Sequence, residues 1–211
     1  MSKDYEKLKV KKPKLRYQIG VLGSSKSICT KKAYELAFKV GQEIAKRGHV
    51  TLTGGGHGVM EAAMKGAKKE GGQTIAVLPW ETMDRVNDYA DIKIATGIGW
   101  SRDSINVTSS HGAILVHGGA GTLNEATFCY MMRKPTVALI PSGGVAAQVA
   151  DRFFDERHTT AILGVNTPKE AVEKLLDLIS KDTPELTKFD ELRIDAEAKQ
   201  NRKVKIKNAK N

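Results

Sequence analysis

No stretch of this 211-residue chain approaches the roughly 20 consecutive apolar residues needed to cross a bilayer, so no membrane partner is expected. Cysteine is nearly absent. Cys29 and Cys129 stand too far apart in sequence for metal-ligand spacing, and they read as small buried hydrophobes in a reducing, cytoplasmic compartment. The five histidines, at 49, 57, 111, 117 and 158, have no ligand spacing either, and no metal is expected. The first 17 residues are mostly lysine and polar groups, without the apolar core of a secretory leader. Acidic residues are outnumbered, 24 against 34 Lys and Arg, for a net charge of +10. The excess sits in the tails: residues 1–16 hold seven basic against two acidic side chains, and residues 181–211 nine against six. Such tails read as solvated basic arms around a domain at 17–180, and a nucleic-acid partner is not the expectation.

Two common nucleotide signatures are also missing. Residues 20–27 approximate a P-loop, but Ser25 stands where its second glycine belongs, and the strand at 113–116 ends in His117 rather than a magnesium-binding Asp. Gly54 and Gly56 begin a dinucleotide pattern that Val59 breaks. Neither an NTPase nor a redox enzyme is supported, and no cofactor is expected.

What remains is an alternation. Short apolar runs at 17–22, 50–53, 74–78, 92–95, 113–116, 136–140 and 161–165 read as strands. Amphipathic runs at 31–47, 59–70, 101–110, 122–132 and 145–154, with a last one opening at 167, read as helices. Residues 79–90 lose the pattern and read as a loop. Thr167-Pro168-Lys169-Glu170 is a capping-box start. The alternation predicts the α/β class: a single-domain, Rossmann-like, doubly wound parallel sheet with helices on both faces, binding its ligand at the carboxyl ends of the strands.

Glycines cluster at that rim. Gly23-Ser24-Ser25 follows the first strand, Gly54-Gly55-Gly56-His57-Gly58 the second, and Gly118-Gly119-Ala120-Gly121-Thr122 the fifth. A glycine-rich turn opening a helix leaves backbone N–H groups unpaired at the positive end of the helix dipole, which suits a phosphate. His57 and His117 read as linings of these loops. Thr122 and Glu125 also have capping-box spacing, and on spacing alone the cap is the favoured role for Glu125. Arg102 alone is an ordinary surface arginine.

Together these residues resemble the LOG family, the cytokinin-activating phosphoribohydrolases once mislabelled lysine decarboxylases. Residues 118–125 match its G-G-x-G-T-x-x-E motif, and Arg102 stands sixteen positions before Gly118, at the spacing of its catalytic arginine. Residues 54–60 look like its second glycine motif and residues 23–25 like the turn after its first strand. The Ser142-Gly143-Gly144-Val145 turn and the Asp155-Glu156-Arg157 segment resemble the branch related to molybdenum-cofactor carriers. Two departures stand out: His117 replaces the family's proline before the double glycine, and Asp103 replaces the lysine after the arginine.

The resemblance implies a nucleoside 5′-monophosphate, or another phosphorylated small molecule, with its phosphate on the 118–122 turn and the 54–58 loop. Glu125 would reach the ribose or an attacking water. Arg102, a poor general acid because a guanidinium holds its proton, would orient the ligand and support the leaving group. Two functions stay open: hydrolysis of the N-glycosidic bond, or carriage of a ligand such as the molybdenum cofactor. The resemblance also implies a homodimer or higher homo-oligomer. The apolar side chains all round the helix at 122–132 fit burial against a partner.

Overall fold

The computed structural model describes residues 15–158 and 160–181. The two basic tails therefore lie outside the described residues, except at 15, 16 and 181. Seven parallel strands form one sheet: β1 Gln18–Gly23, β2 Val50–Thr53, β3 Thr74–Leu78, β4 Ile92–Ala95, β5 Gly112–Val116, β6 Thr136–Leu139 and β7 Leu163–Val165, in the order β4-β3-β2-β1-β5-β6-β7.

The central strand shows why the sheet is covered twice. Successive β5 side chains point to opposite faces. Ile114 and Val116 pack with Ile19, Val21, Val137 and Leu139 beneath α1 Lys31–Lys46, α2 Val59–Lys69 and α6 Pro168–Lys181. Ala113 and Leu115 pack with Leu22 and Ala138 beneath α3 Asp103–Thr108, α4 Ala120–Met131 and α5 Gly144–Val149. A strand buried on both sides must be apolar at every position, which is how β5 reads. Helix α1 buries Ala33, Ala37, Val40, Gly41 and Ile44 along one stripe, and Thr30 caps it by accepting from Ala33 N at 3.1 Å. The capping box at α6 is closed from both sides. Thr167 Oγ1 accepts from Glu170 N at 3.1 Å, and Glu170 Oε2 accepts from Thr167 N at 3.3 Å and Asn166 N at 2.8 Å.

Two expected helices are shorter. The run at 145–154 stops at Val149, where Ala150 turns extended and Asp151 takes φ 57°. Asp151 N donates to Ile162 O at 2.7 Å and its carboxylate accepts from Gly164 N at 2.8 Å, so pairing with the β7 segment competes with continued helix. The run at 101–110 opens as a 3-10 turn, Gly99–Arg102, and is α-helical only over Asp103–Thr108. The β3–β4 crossover carries no helix. Its Trp80, Val86 and Tyr89 pack on Met64, Ala76 and Leu78 instead. Among the described residues, no helix is long and apolar enough to cross a membrane.

From β1 the chain proceeds to β2 on one side, while β5 is added on the other. The crevice between the diverging connections, at the carboxyl ends of β1 and β5, is where an open α/β sheet accepts a ligand.

Candidate functional site

A cavity of about 220 Å³ occupies that crevice. After β1, Gly23, Ser24 and Ser25 line it. Gly54 lines it after β2, Arg102 and Asp103 at the junction of the 3-10 turn with α3, Gly119 just before α4, and Ala120, Gly121, Thr122 and Glu125 on α4. Gly55, Gly56, His57, Gly58 and Gly118 do not line it.

The floor begins at the end of β5. His117 takes φ 57° and Gly118 φ 102°. A side chain on Gly118 would collide with Thr122, so the chain needs glycine there to enter the helix. His117 N donates to Ser142 Oγ at 2.6 Å, and that hydroxyl donates to Leu139 O at 2.6 Å. Val145 N bonds Gly118 O at 3.1 Å and Ala146 N bonds His117 O at 2.9 Å. The Ser142–Val145 turn is thus a brace that holds the β5–α4 turn from behind. Helix α4 has no side-chain cap and no acidic residue in its first turn. The N–H groups of Ala120, Gly121 and Thr122 precede its first intrahelical bond, from Leu123 N to Gly119 O at 3.0 Å. These are three donors at a positive helix end, facing a cavity.

The second glycine loop acts mainly from behind. Gly58 lies under the backbone of residues 24–26, and Val59 N donates to Ser24 O at 3.0 Å. Buried Asn87, from the β3–β4 crossover, donates through Nδ2 to Gly55 O and Gly56 O, both at 3.0 Å. His57 is exposed and its Nδ1 is 3.1 Å from Glu61 Oε2. Gly54 alone meets the cavity, and it has a distinct task. A Cβ there would sit 2.5 Å from Arg102 Nη2 and 2.7 Å from Cζ, so the guanidinium lies against bare backbone.

Arg102 and Glu125 meet in the same buried wall, only 7% and 5% exposed. Arg102 Nη1 donates to Asp103 Oδ1 at 2.8 Å and lies 3.5 Å from Glu125 Oε1. Arg102 Nε is buried with no hydrogen-bond partner among the described residues. Asn106 Nδ2 donates to Glu125 Oε1 at 2.9 Å, and Asn124 Nδ2 donates to Asp103 Oδ2 at 3.0 Å. Burial, and secondarily the neighbouring Asp103 charge, push the Glu125 carboxyl from its ordinary 4.5 up to about 7; Arg102 and the Asn106 bond oppose them. The capping role favoured by spacing is not adopted. Helix α4 starts at Ala120, ahead of Thr122, and Glu125 reaches sideways to α3. Asn106 stands four residues after Arg102, hence on the same face of α3, a spacing visible in the sequence. For Asn87 and Asn124 no local pattern exists, because their partners are remote in sequence.

Set beside other proteins, the chain is 45% identical over 124 residues to an uncharacterized protein of Archaeoglobus fulgidus, covering 59% of this chain and 80% of that one. It is 39% identical over 94 residues to the cytokinin riboside 5′-monophosphate phosphoribohydrolase of Mycobacterium tuberculosis, spanning 43% of this chain and only half of the mycobacterial one. Among solved structures, the molybdenum cofactor carrier protein of Chlamydomonas reinhardtii superposes with a TM-score of 0.68 at 34% identity, over 79% of this chain and 99% of that one. The sequence pattern of one family spans residues 16–172, which takes in every element from β1 into α6 and the whole cavity wall. The chain belongs to the SLOG cluster4 family.

Proposed function

We propose that the cavity binds a nucleoside 5′-monophosphate and hydrolyses its N-glycosidic bond to free base and ribose 5-phosphate. The observation that carries this reading is the meeting of Arg102 Nη1 and Glu125 Oε1, 3.5 Å apart, in the wall of the cavity that the first turn of α4 also lines. The phosphate sits on the N–H groups of Ala120, Gly121 and Thr122, with the Thr122 hydroxyl beside it. Glu125 titrates near neutrality, where a carboxyl group serves best as a proton acceptor. In its ionised form it takes a proton from water as the oxygen attacks the sugar's anomeric carbon. The carbon–nitrogen bond breaks with its electron pair passing to the base, which takes up a proton from solvent, and Glu125 returns its proton to solvent afterwards. The same carboxylate stabilises the positive charge that develops on the sugar. Arg102, fixed by Asp103 and seated on Gly54, orients the ligand and supports the departing base.

Incubating the purified protein with a panel of 5′-monophosphates and assaying free base and ribose 5-phosphate tests the reading. Release by wild type and at least a hundredfold less by Glu125→Gln are expected. Equal rates for the two proteins, or no release from any nucleotide, would overturn it.

A second reading has its own support. The likeness to the carrier protein runs over 99% of that chain, whereas the hydrolase match covers half of its own. Asp103 also occupies a guanidinium nitrogen that a substrate anion would otherwise take. On this reading the cavity holds a phosphorylated pterin-type ligand without cleaving it. Mass measurement of the ligand extracted from protein purified from its own host distinguishes the two. Under either reading a cytoplasmic homodimer or larger homo-oligomer is proposed.

A further inference from the structure

Trp100 has no role in the reading above, yet its position is unusual. It is 79% exposed, the most exposed of the large apolar side chains among the described residues. Leaving a whole indole in water forgoes a large burial gain, and the cost is tolerated where a partner will cover the ring. No ring or cation contact engages it among the described residues. It nevertheless lines the same cavity as Arg102, Thr122 and Glu125.

Its backbone is held. Trp100 lies in the 3-10 turn two residues before Arg102, and Gly99 N donates to Pro79 O at 3.0 Å, Gly97 N to Trp80 O at 3.1 Å, and Ser104 Oγ to Ser101 O at 2.8 Å. The backbone that carries the indole is therefore fixed in register with that of Arg102.

The cavity is divided. Its polar wall is made by α4, Arg102 and Asp103, while Ile28, Met60 and Trp100 supply the apolar part, with Ile28 49% exposed. At about 220 Å³ it is smaller than the roughly 300–1,000 Å³ of sites that enclose a whole small-molecule ligand. A phosphorylated sugar fills such a space, and whatever it carries must lie across the mouth. A flat nitrogen heterocycle placed there meets an exposed indole on a fixed turn.

We propose that Trp100 is the stacking platform for a planar heterocycle, of purine or pterin type, borne by the phosphorylated ligand whose phosphate sits at the start of α4. The proposal rests on the phosphate-binding reading of the cavity and adds the ligand's second half. Trp100 then sets specificity for flat ring systems as a class, since stacking reads a π-face and not a hydrogen-bond pattern. A second copy of the chain seated over Trp100 is the competing occupant, and the test separates the two.

Calorimetric titration of wild type, Trp100→Ala and Trp100→Phe decides it, with three probes. Ribose 5-phosphate carries no ring. 9-Deazaadenosine 5′-monophosphate carries a purine-like ring on a carbon–carbon bond that water cannot cleave, and 6-hydroxymethylpterin phosphate carries a pterin. Wild type is expected to bind at least one ring-bearing probe about tenfold more tightly than ribose 5-phosphate, and Trp100→Ala to lose that advantage while its affinity for ribose 5-phosphate stays within twofold. Trp100→Phe should retain most of it. In a Trp80→Phe background, where Trp100 is the remaining tryptophan, the favoured probe should quench its emission and ribose 5-phosphate should not.

If ribose 5-phosphate binds but neither ring-bearing probe gains from Trp100, the stacking proposal falls and the phosphate reading stands. If no probe binds wild type, both fall. If Trp100 emission in the ligand-free protein is already shielded from a soluble quencher and moves with protein concentration, a second copy covers the ring, and the proposal is overturned.

Discussion

At the scale of single residues, the site is an argument about one carboxyl group. Glu125 is buried with its folded pKa raised from 4.5 to about 7. The protonated group suits the fold, so its contribution is fully present below pH 4.5 and is lost as pH rises through 7. Above that, burying the anion costs up to about 3 kcal/mol relative to the unfolded chain. Glu125→Gln should therefore raise the melting temperature at pH 8 by several degrees and leave it nearly unchanged at pH 5. A wild-type and variant gap that does not vary with pH would refute the buried acid. The same titration predicts that any hydrolysis by wild type rises with pH through about 7. Gly54 offers a second residue-level test. Gly54→Ala puts a methyl 2.5 Å from Arg102 Nη2, with an expected stability cost of about 1–3 kcal/mol. Phosphate-ester affinity should fall at least tenfold as the guanidinium is displaced, measured by titration on protein shown by circular dichroism to be folded.

These residues were unequally legible. The glycines and Thr122 stand out because a strand–glycine–helix junction is written in adjacent positions. Arg102 and Glu125 carry no chemical signal of their own and stand out only through the family spacing. What brings them together, the Asn106 bond to Glu125 across the α3–α4 contact, follows from tertiary packing, whereas Asp103 pairs with its sequence neighbour Arg102.

At the scale of elements, two identical-looking capping boxes separate. Thr167 and Glu170 close theirs, whereas Thr122 and Glu125 do not. The difference lies outside the local sequence: Gly118 starts α4 early, and Asn106 and Arg102 compete for Glu125. The overlong expectation for α5 has the same origin, since the run to Phe154 is helical in pattern but Asp151 is taken by the β7 segment. The turn at 142–145 shows the converse. In sequence it reads as a branch marker, and its physical role is to brace the floor of the cavity. Ser142→Ala removes the acceptor for His117 N and should cost about 1–3 kcal/mol, read from the midpoint of denaturant unfolding. It should also weaken phosphate-ester binding, although Ser142 does not line the cavity. Unchanged binding would show that the β5–α4 turn holds its shape without the brace.

At the scale of the whole molecule, alternation and short connections predict the parallel, doubly wound sheet, whereas the order β4-β3-β2-β1-β5-β6-β7 depends on tertiary packing, and its switch between β1 and β5 dictates where the loops converge. The proposed homo-oligomer is testable at α4. Leu123 and Met131, 42% and 57% exposed, stand two turns apart on one side of α4. Replacing both with Glu should lower the mass measured by sedimentation without unfolding the domain; a wild-type protein that is monomeric at all concentrations would remove the proposal.

The proposed function requires a phosphate monoester to dock on the first turn of α4 beside Arg102 and Glu125. Amide NMR during titration with ribose 5-phosphate tests it most directly. The largest shifts are expected at Ala120, Gly121 and Thr122, together with the side-chain Nε–H of Arg102, which is buried with no hydrogen-bond partner among the described residues. Shifts confined to the separate cleft lined by Lys26, Lys31 and Tyr34, with residues 120–122 unmoved, would contradict it.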